Sequence, residues 1–282
     1  MFKSVRVDIN ERFEIVRKAV SGTMSKIYMA RDRTTNEIVG LKIADHEKVE
    51  YFEARFKGLN KPSEGEIAFK LSHPSVVKTY EYGWTTNGTQ YILMEFVAGP
   101  GLHTVLNNRD PVVDGHRLRL VRQMAEALQY VHEQGFIHRD VCPRNYIYET
   151  KTGNVKLIDF GLTLPAKKEF MQPGNRTGTP LYMAPEVVRR RWTDQRLDIF
   201  ALGVSAYQVC TFELPWPVSE TTGKAALAHD THKPRPITDY RPTLNRTLAN
   251  AIMRCIEANP NDRPKTVEMF LNSIRAVRED DE

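Results

Sequence analysis

The sequence predicts an α+β protein of two lobes in a single domain, the smaller rich in β-strands and the larger mainly α-helical. Three patterns lead there. Residues 12 to 42 break into short apolar runs, FEIV, KIYMA and EIVGLKIA, separated by the turn-forming stretches SGTMS and DRTTN, which is the pattern of an antiparallel sheet. Two more strand-like runs, VVKTYEYG and YILMEFV, flank the turn TTNGT. From Leu118 the apolar positions Leu118, Val121, Ala125 and Leu128 take helical spacing with Gly135 as the stop, and from about Ser205 the apolar runs lengthen into further helical patterns.

Within the first half one helical pattern interrupts the strands, around Glu64 to Leu71. After Gly135 come the short runs FI, YIY and VKLI, the last two joined by a TGN turn, so that polar clusters fall at strand ends and in tight loops. Those loops are where chemistry is expected.

Bulk properties bound the function without choosing it. The chain has 282 residues, 41% hydrophobic and 27% charged, an ordinary soluble composition, and no run approaches the roughly 20 apolar residues that a membrane helix needs. The start, MFKSVRVDINERFEIVRK, alternates charged with apolar residues and lacks a secretory pattern, so a cytoplasmic chain with no membrane partner is expected. Cys142, Cys210 and Cys255 are widely separated, without the paired spacing of zinc or redox motifs, which fits a reducing compartment. A net charge of +5 without a basic run or basic-aromatic stripe gives no reason to expect nucleic acid.

The chemistry concentrates in two loops. His138-Arg139-Asp140, followed by Val141-Cys142-Pro143-Arg144-Asn145, puts an aspartate and an asparagine on one short loop directly after an apolar strand. Asp159-Phe160-Gly161 follows VKLI, with a carboxylate suited to magnesium and a glycine that lets the chain turn away sharply. Oxygen ligands of this kind beside a candidate base suggest phosphate chemistry.

With HRDVCPRN, DFG and Ala184-Pro185-Glu186 in that order, the sequence resembles the eukaryotic-type protein kinase family, serine/threonine branch, from about Phe13 to Val277. The resemblance implies the two-lobed protein kinase fold, with a β-rich lobe at about 12–94 carrying one main helix, a hinge at 95–98 and a mainly helical lobe at 99–277. It implies ATP and Mg2+ as cofactors and a protein substrate with a serine or threonine acceptor. Asp140 would accept or orient the proton of the attacking hydroxyl, and Asn145 and Asp159 would hold magnesium against the phosphates. Lys42, in Val39-Gly40-Leu41-Lys42, matches the lysine that anchors the α- and β-phosphates and pairs with a helix glutamate. Glu64 is the expected partner, with Glu66 the alternative. Met94 takes the gatekeeper position, Glu95 to Val97 present backbone groups to adenine, and Ile27 and Ile147 complete the nucleotide-binding set. Thr179, in Gly178-Thr179-Pro180-Leu181-Tyr182-Met183-Ala184-Pro185-Glu186, matches the threonine beside the catalytic aspartate in serine/threonine kinases. Asp198 and Arg263 match positions that brace the catalytic loop and pair with Glu186, both structural.

Two departures stand out. Of the family's glycine-rich phosphate loop only Gly22 remains, in Val20-Ser21-Gly22-Thr23-Met24-Ser25-Lys26-Ile27, so a stiffer loop is expected, with the hydroxyls of Ser21, Thr23 and Ser25 either donating to phosphate or simply solvated. Where serine/threonine kinases carry lysine two residues after the aspartate, this chain has Cys142, and Arg144 is the expected substitute cation. Both departures leave a pseudokinase, a nucleotide-binding scaffold, as the rival reading, and small-molecule phosphorylation as a third.

Four more readings follow. Cys142 is either an accessible, acidified thiol or a small spacer, while Cys210 and Cys255 belong to the core. Arg139 is placed to meet a phosphate on the segment Leu162 to Gly178, where Thr163 and Thr177 are the acceptors, Thr177 the better. The stretch AHDTHKPRP, with His229 and His232 around Asp230, reads as an exposed loop rather than a metal site. Trp192 and Trp216 are assigned to the core.

Overall fold

In a computed structural model, which describes residues 6–21, 24–217 and 225–279, the chain divides into two compact units, Met1–Val97 and Ala98–Glu282. The first holds helix α1 (Ile9–Arg12), strands β1 (Phe13–Ser21), β2 (Ser25–Asp32) and β3 (Ile38–Ala44), helices α2 (His46–Glu53) and α3 (Glu64–Lys70), and strands β4 (Thr79–Trp84) and β5 (Gln90–Glu95). The strands form one sheet in the order β1-β2-β3-β5-β4, with every neighbouring pair antiparallel. Alternation along the strands puts Phe13, Ala30, Val39, Leu41, Tyr91 and Leu93 into a common core. The tight β2–β3 turn closes because the Asp32 carboxylate accepts from the Thr34 amide at 2.8 Å and Asn36 takes a left-handed φ of 60°.

Helix α3 starts where it does because of a capping box. The Ser63 hydroxyl accepts from the Glu66 amide at 3.2 Å, and the Glu66 carboxylate accepts from the Ser63 amide at 2.7 Å. The helix then lies unusually close to β4. A Cβ on Gly65 would stand 2.6 Å from Tyr82 Cβ and 2.8 Å from its Cγ, a distance that only glycine permits. Gly65→Ala is therefore a test in which local and tertiary terms oppose each other. Helix propensity alone favours alanine by about 1 kcal/mol, yet we expect a net loss of about 1–3 kcal/mol from overpacking against β4. The midpoint of chemical denaturation measures it, and a gain in stability would show that α3 does not need this approach.

The second unit contains α4 (Leu102–Asn107), α5 (Arg117–Glu133), the short strands β6 (Phe136–Ile137), β7 (Tyr146–Glu149), β8 (Asn154–Leu157) and β9 (Leu164–Pro165), and α6 (Pro185–Val188) to α11. Its later helices are α7 (Arg196–Thr211), α8 (Ala228–Thr231), α9 (Ile237–Tyr240), α10 (Arg246–Cys255) and α11 (Val267–Ser273). Helix α5 buries Leu118, Val121, Ala125 and Leu128 on one face, as their spacing predicts. Helix α7 is buried all round from Leu197 to Thr211, so it is the central core element of this unit. Two small ladders, β6 with β9 and β7 with β8, pin both ends of the loop between Ile137 and Tyr146. No helix among the described residues is long and apolar enough to cross a membrane.

Candidate active site

The first unit holds a buried cation with its counter-ion. Lys42 sits in the middle of β3, opposite Ile27 on β2 and Ile92 on β5, and is only 3% exposed. Its ammonium pairs with the Glu64 carboxylate at the start of α3. A buried ammonium needs such a partner, since desolvation favours its neutral form. Glu66, the alternative, is committed to the cap of α3, so Glu64 is the glutamate that the fold brings to Lys42.

Gly40, where the family usually has alanine, faces Met94 across the β3–β5 ladder. A Cβ there would lie 2.9 Å from Met94 Cγ and 3.2 Å from the Glu95 carbonyl, so Met94 fills the space that the missing methyl leaves. Glu95 is tied twice to Lys78, its amide donating to the Lys78 carbonyl at 2.9 Å and its carboxylate accepting from the Lys78 amide at 2.8 Å. Val97 is half-buried at the end of this unit, and Ile27 is likewise half-buried. Gly22 and Thr23 lie outside the described residues. Ser25 is buried in β2.

In the second unit three side chains converge on Asp140. Its Oδ1 accepts from the Thr179 amide at 2.8 Å and from the Thr179 hydroxyl at 2.7 Å. Its Oδ2 accepts from Asn145 Nδ2 at 2.9 Å, and the same nitrogen donates to the Asp140 carbonyl at 2.7 Å. Arg144, with a side chain 51% exposed, donates from Nη2 to the Thr179 hydroxyl at 3.0 Å and stands 4.0 Å from the Asp140 carboxylate. The Thr179 oxygen therefore donates to Asp140 and accepts from Arg144, relaying the guanidinium to the carboxylate.

The loop carrying Asp140 and the turn at Asp159 are both held in strained shapes. Arg139 and Asp159 take left-handed φ values of 69° and 67°, costly for non-glycine residues and stable only where the surroundings impose them. Asp198, fully buried in the first turn of α7, imposes the first by accepting from the amides of His138 at 2.7 Å and Arg139 at 2.8 Å, with His132 Nε2 at 2.8 Å as its third partner. Burial alone would raise the Asp198 pKa, but the His132 ring and the loop amides hold it below the usual value. Because the folded pKa is depressed, this tie is present above the ordinary carboxylate range and is lost as pH falls through the folded value. At Asp159 the carboxylate accepts from the Gly161 amide at 3.0 Å. Gly178, at φ 125°, lies where a Cβ would be 2.8 Å from the Arg139 carbonyl, so only glycine lets the Thr179 segment lie against the loop.

Asn145 and Asp159 also fit a magnesium site by chemistry. With its nitrogen on Asp140, the Asn145 amide directs its carbonyl oxygen elsewhere, and amide and carboxylate oxygens are the hard ligands that Mg2+ takes, one or two from protein and the rest from phosphate and water. Ile147, in β7, is half-buried and bridges Gly101.

Several expectations need correction. Cys142 is not an accessible thiol: it is fully buried, its Sγ lies 3.6 Å from the Thr179 hydroxyl, and burial pushes its pKa up to about 12. It is a small spacer beneath Thr179. Cys210 and Cys255 are buried too. Under native conditions at pH 8 all three thiols are thus expected to resist maleimide, with labelling in intact-mass spectra only after denaturation. Rapid native modification at Cys142 would contradict the packing under Thr179. Thr163 is no surface acceptor, being buried with its hydroxyl on the His138 carbonyl at 3.4 Å. Thr177 is half-buried, bonded to the Asn175 side chain at 3.1 Å. Arg139 reaches the same segment through the Asn175 carbonyl at 3.2 Å, and burial lowers its pKa to about 10.

Trp216 is in the core, but Trp192, just after α6, is 60% exposed. AHDTHKPRP is not all loop either. Ala228–Thr231 forms α8, and His229 is buried. No group of three acidic, histidine or cysteine side chains able to hold a metal occurs among the described residues. Sequence reasoning also missed His132 and Gln208, the latter accepting from the Tyr182 hydroxyl at 2.6 Å. Neither lies in a motif, and helical spacing alone marks His132 as a neighbour of the loop.

A buried lysine on a five-stranded sheet paired with a helix glutamate, an aspartate latched to a threonine segment and a second aspartate in a left-handed turn define a phosphotransferase fold of the protein kinase class. The protein kinase domain model matches residues 13–273, and the chain belongs to that family. It is similar to serine/threonine-protein kinase pkn3 of Myxococcus xanthus, 34% identical over 268 residues, covering 91% of this chain and 48% of the relative. Pkn1 of the same organism is 30% identical over 276 residues, with coverage of 94% and 38%. PknB of Mycolicibacterium smegmatis is 29% identical over 276 residues, with coverage of 95% and 43%. The chain thus spans about half or less of the length of these curated relatives, and the serine/threonine branch is the one to which it is related.

Proposed function

We propose that this chain is an ATP-dependent protein kinase that transfers the γ-phosphate to serine or threonine hydroxyls of protein substrates. The observation that carries the reading is the Asp140 constellation, a carboxylate aimed by Thr179 and Asn145 with a cation 4.0 Å away. In the step proposed, the acceptor hydroxyl oxygen attacks the γ-phosphorus, the bond from phosphorus to the bridging oxygen breaks to release ADP, and the hydroxyl proton passes to Asp140. Thr179 occupies Oδ1 with both its amide and its hydroxyl, which assigns the proton to Oδ2. Asn145 fixes that oxygen. Lys42, paired with Glu64, takes the α- and β-phosphates. Magnesium, which Asn145 and Asp159 would hold, supplies neutralisation of phosphate charge when bound.

Arg144 then stands where phosphoryl charge develops and replaces the absent lysine. Arg144→Ala is expected to slow transfer about 10- to 100-fold, the worth of one charge-assisted hydrogen bond, in a steady-state peptide assay. An unchanged rate would remove this role. The reading as a whole is tested by supplying radiolabelled ATP with serine, threonine and tyrosine peptide mixtures beside small alcohols. Label is expected in serine and threonine peptides, whereas label in alcohols alone would replace the protein-substrate reading. Nucleotide binding without any transfer would make the chain a pseudokinase.

A further inference from the structure

We propose that His229 is a positioning residue for the peptide acceptor: its Nδ1–H donates to the Met183 carbonyl and, with Asp230 on Arg189, holds the segment that runs from Thr179 into α6. The proposal rests on the kinase reading for its catalytic consequence, and on geometry alone for the clamp.

Helix α8 is a single turn, yet two adjacent residues of it grip two points of that segment. His229 is 3% exposed, with its ring 4.4 Å from the Trp216 ring and 5.5 Å from that of Phe200. Its Nδ1 lies 2.7 Å from the Met183 carbonyl oxygen. A carbonyl oxygen only accepts, so Nδ1 carries the hydrogen, the opposite tautomer from the one most solvated imidazoles prefer. Burial lowers the His229 pKa, and the aromatic wall on its flank suits a neutral ring. One residue on, the Asp230 carboxylate receives Arg189 Nε at 2.9 Å and Nη2 at 2.8 Å, a bidentate pair at the end of α6. Four residues before Met183, Thr179 makes its two bonds to Asp140.

The segment is therefore tied at Asp140, at Met183 and at Arg189, with Tyr182 on Gln208 between. A histidine that only filled space here would be replaceable by phenylalanine. One that positions the segment is not, because an unpaired Met183 carbonyl would seek a new donor and carry Thr179 with it.

The test compares His229→Phe with His229→Asn, whose Nδ2 falls near the place of the imidazole Nδ1. The Phe variant is expected to raise KM for a serine peptide about tenfold, the worth of one buried hydrogen bond, while KM for ATP moves less than about twofold. The Asn variant is expected to recover most of that loss. Equal peptide KM in the Phe variant and the native chain, or an Asn variant no better than Phe, would overturn the proposal. Nitrogen-15 NMR of the native chain labelled at histidine gives an answer independent of activity and of how the variants fold. An Nδ1-protonated, slowly exchanging His229 between about pH 6 and 8 is expected, and an Nε2-protonated ring would sink the clamp. A native chain that transfers no phosphate would instead overturn the kinase reading, with the tautomer still deciding the clamp.

Discussion

Replacing Arg263 by alanine is expected to cost the second unit about 3–5 kcal/mol and to lower its melting temperature on the order of 10 °C. The guanidinium is fully buried and every one of its N–H donors is used. Nη1 donates to Glu186 Oε1 at 2.8 Å and to the Arg196 carbonyl at 3.1 Å, Nη2 to Glu186 Oε2 at 2.9 Å and to the Ala258 carbonyl at 3.0 Å, and Nε to the Glu257 carbonyl at 2.7 Å. Its plane also lies over the Phe200 ring, 4.8 Å from the centroid. Truncation strands a buried carboxylate and three carbonyls at once. Lysine does not repair this, since a single ammonium cannot fork between two carboxylate oxygens and reach the carbonyls too. Denaturant unfolding of the native chain, Arg263→Ala and Arg263→Lys checks it. A loss under about 1 kcal/mol would mean that the pair is not the brace between α6 and the start of α11 that its geometry describes.

Asp140→Asn is expected to slow phosphate transfer about 10²- to 10⁴-fold, the usual worth of a positioned base, while leaving the fold and nucleotide affinity nearly intact. The amide keeps one oxygen for the two Thr179 donors but turns its own N–H groups toward Asn145 Nδ2, which loses its side-chain acceptor and keeps only the residue 140 carbonyl. The segment thus stays latched while the proton acceptor is gone. Parallel measurements of transfer rate and of ATP affinity by calorimetry check both halves. Loss of affinity comparable to the loss of rate would show that Asp140 shapes the nucleotide site rather than receiving the proton.

Much of this was legible in the sequence because local rules and the fold agree. Short apolar runs bounded by turn residues, KIYMA and EIVGLKIA, mark strands whether or not their partners are known, and the spacing of Leu118, Val121, Ala125 and Leu128 marks a helix face. The choice between Glu64 and Glu66 stayed open because both fall in the first turn of α3, yet the signal was present in Ser63 and Glu66, a capping-box spacing that commits Glu66 to the helix end. Other residues depended on distant partners. His229 sits in a proline-rich stretch, and its burial comes from Trp216 and Phe200, far away along the chain. The environment of Cys142 is set by Thr179, 37 positions later, and that contact decides between the accessible thiol and the small spacer in favour of the spacer. Trp192 shows the converse, since a large apolar residue carries no guarantee of a wall to pack on.

The most direct measurement is intact-mass analysis of a generic acceptor protein incubated with the chain, magnesium and ATP, beside the Asp140→Asn variant. The account predicts additions of one phosphate mass, on serine or threonine, with the native chain and almost none with the variant. Equal phosphate gain with both proteins, or none with either despite bound nucleotide, would contradict the claim that Asp140, aimed by Thr179 and Asn145, is the centre of a working phosphotransferase.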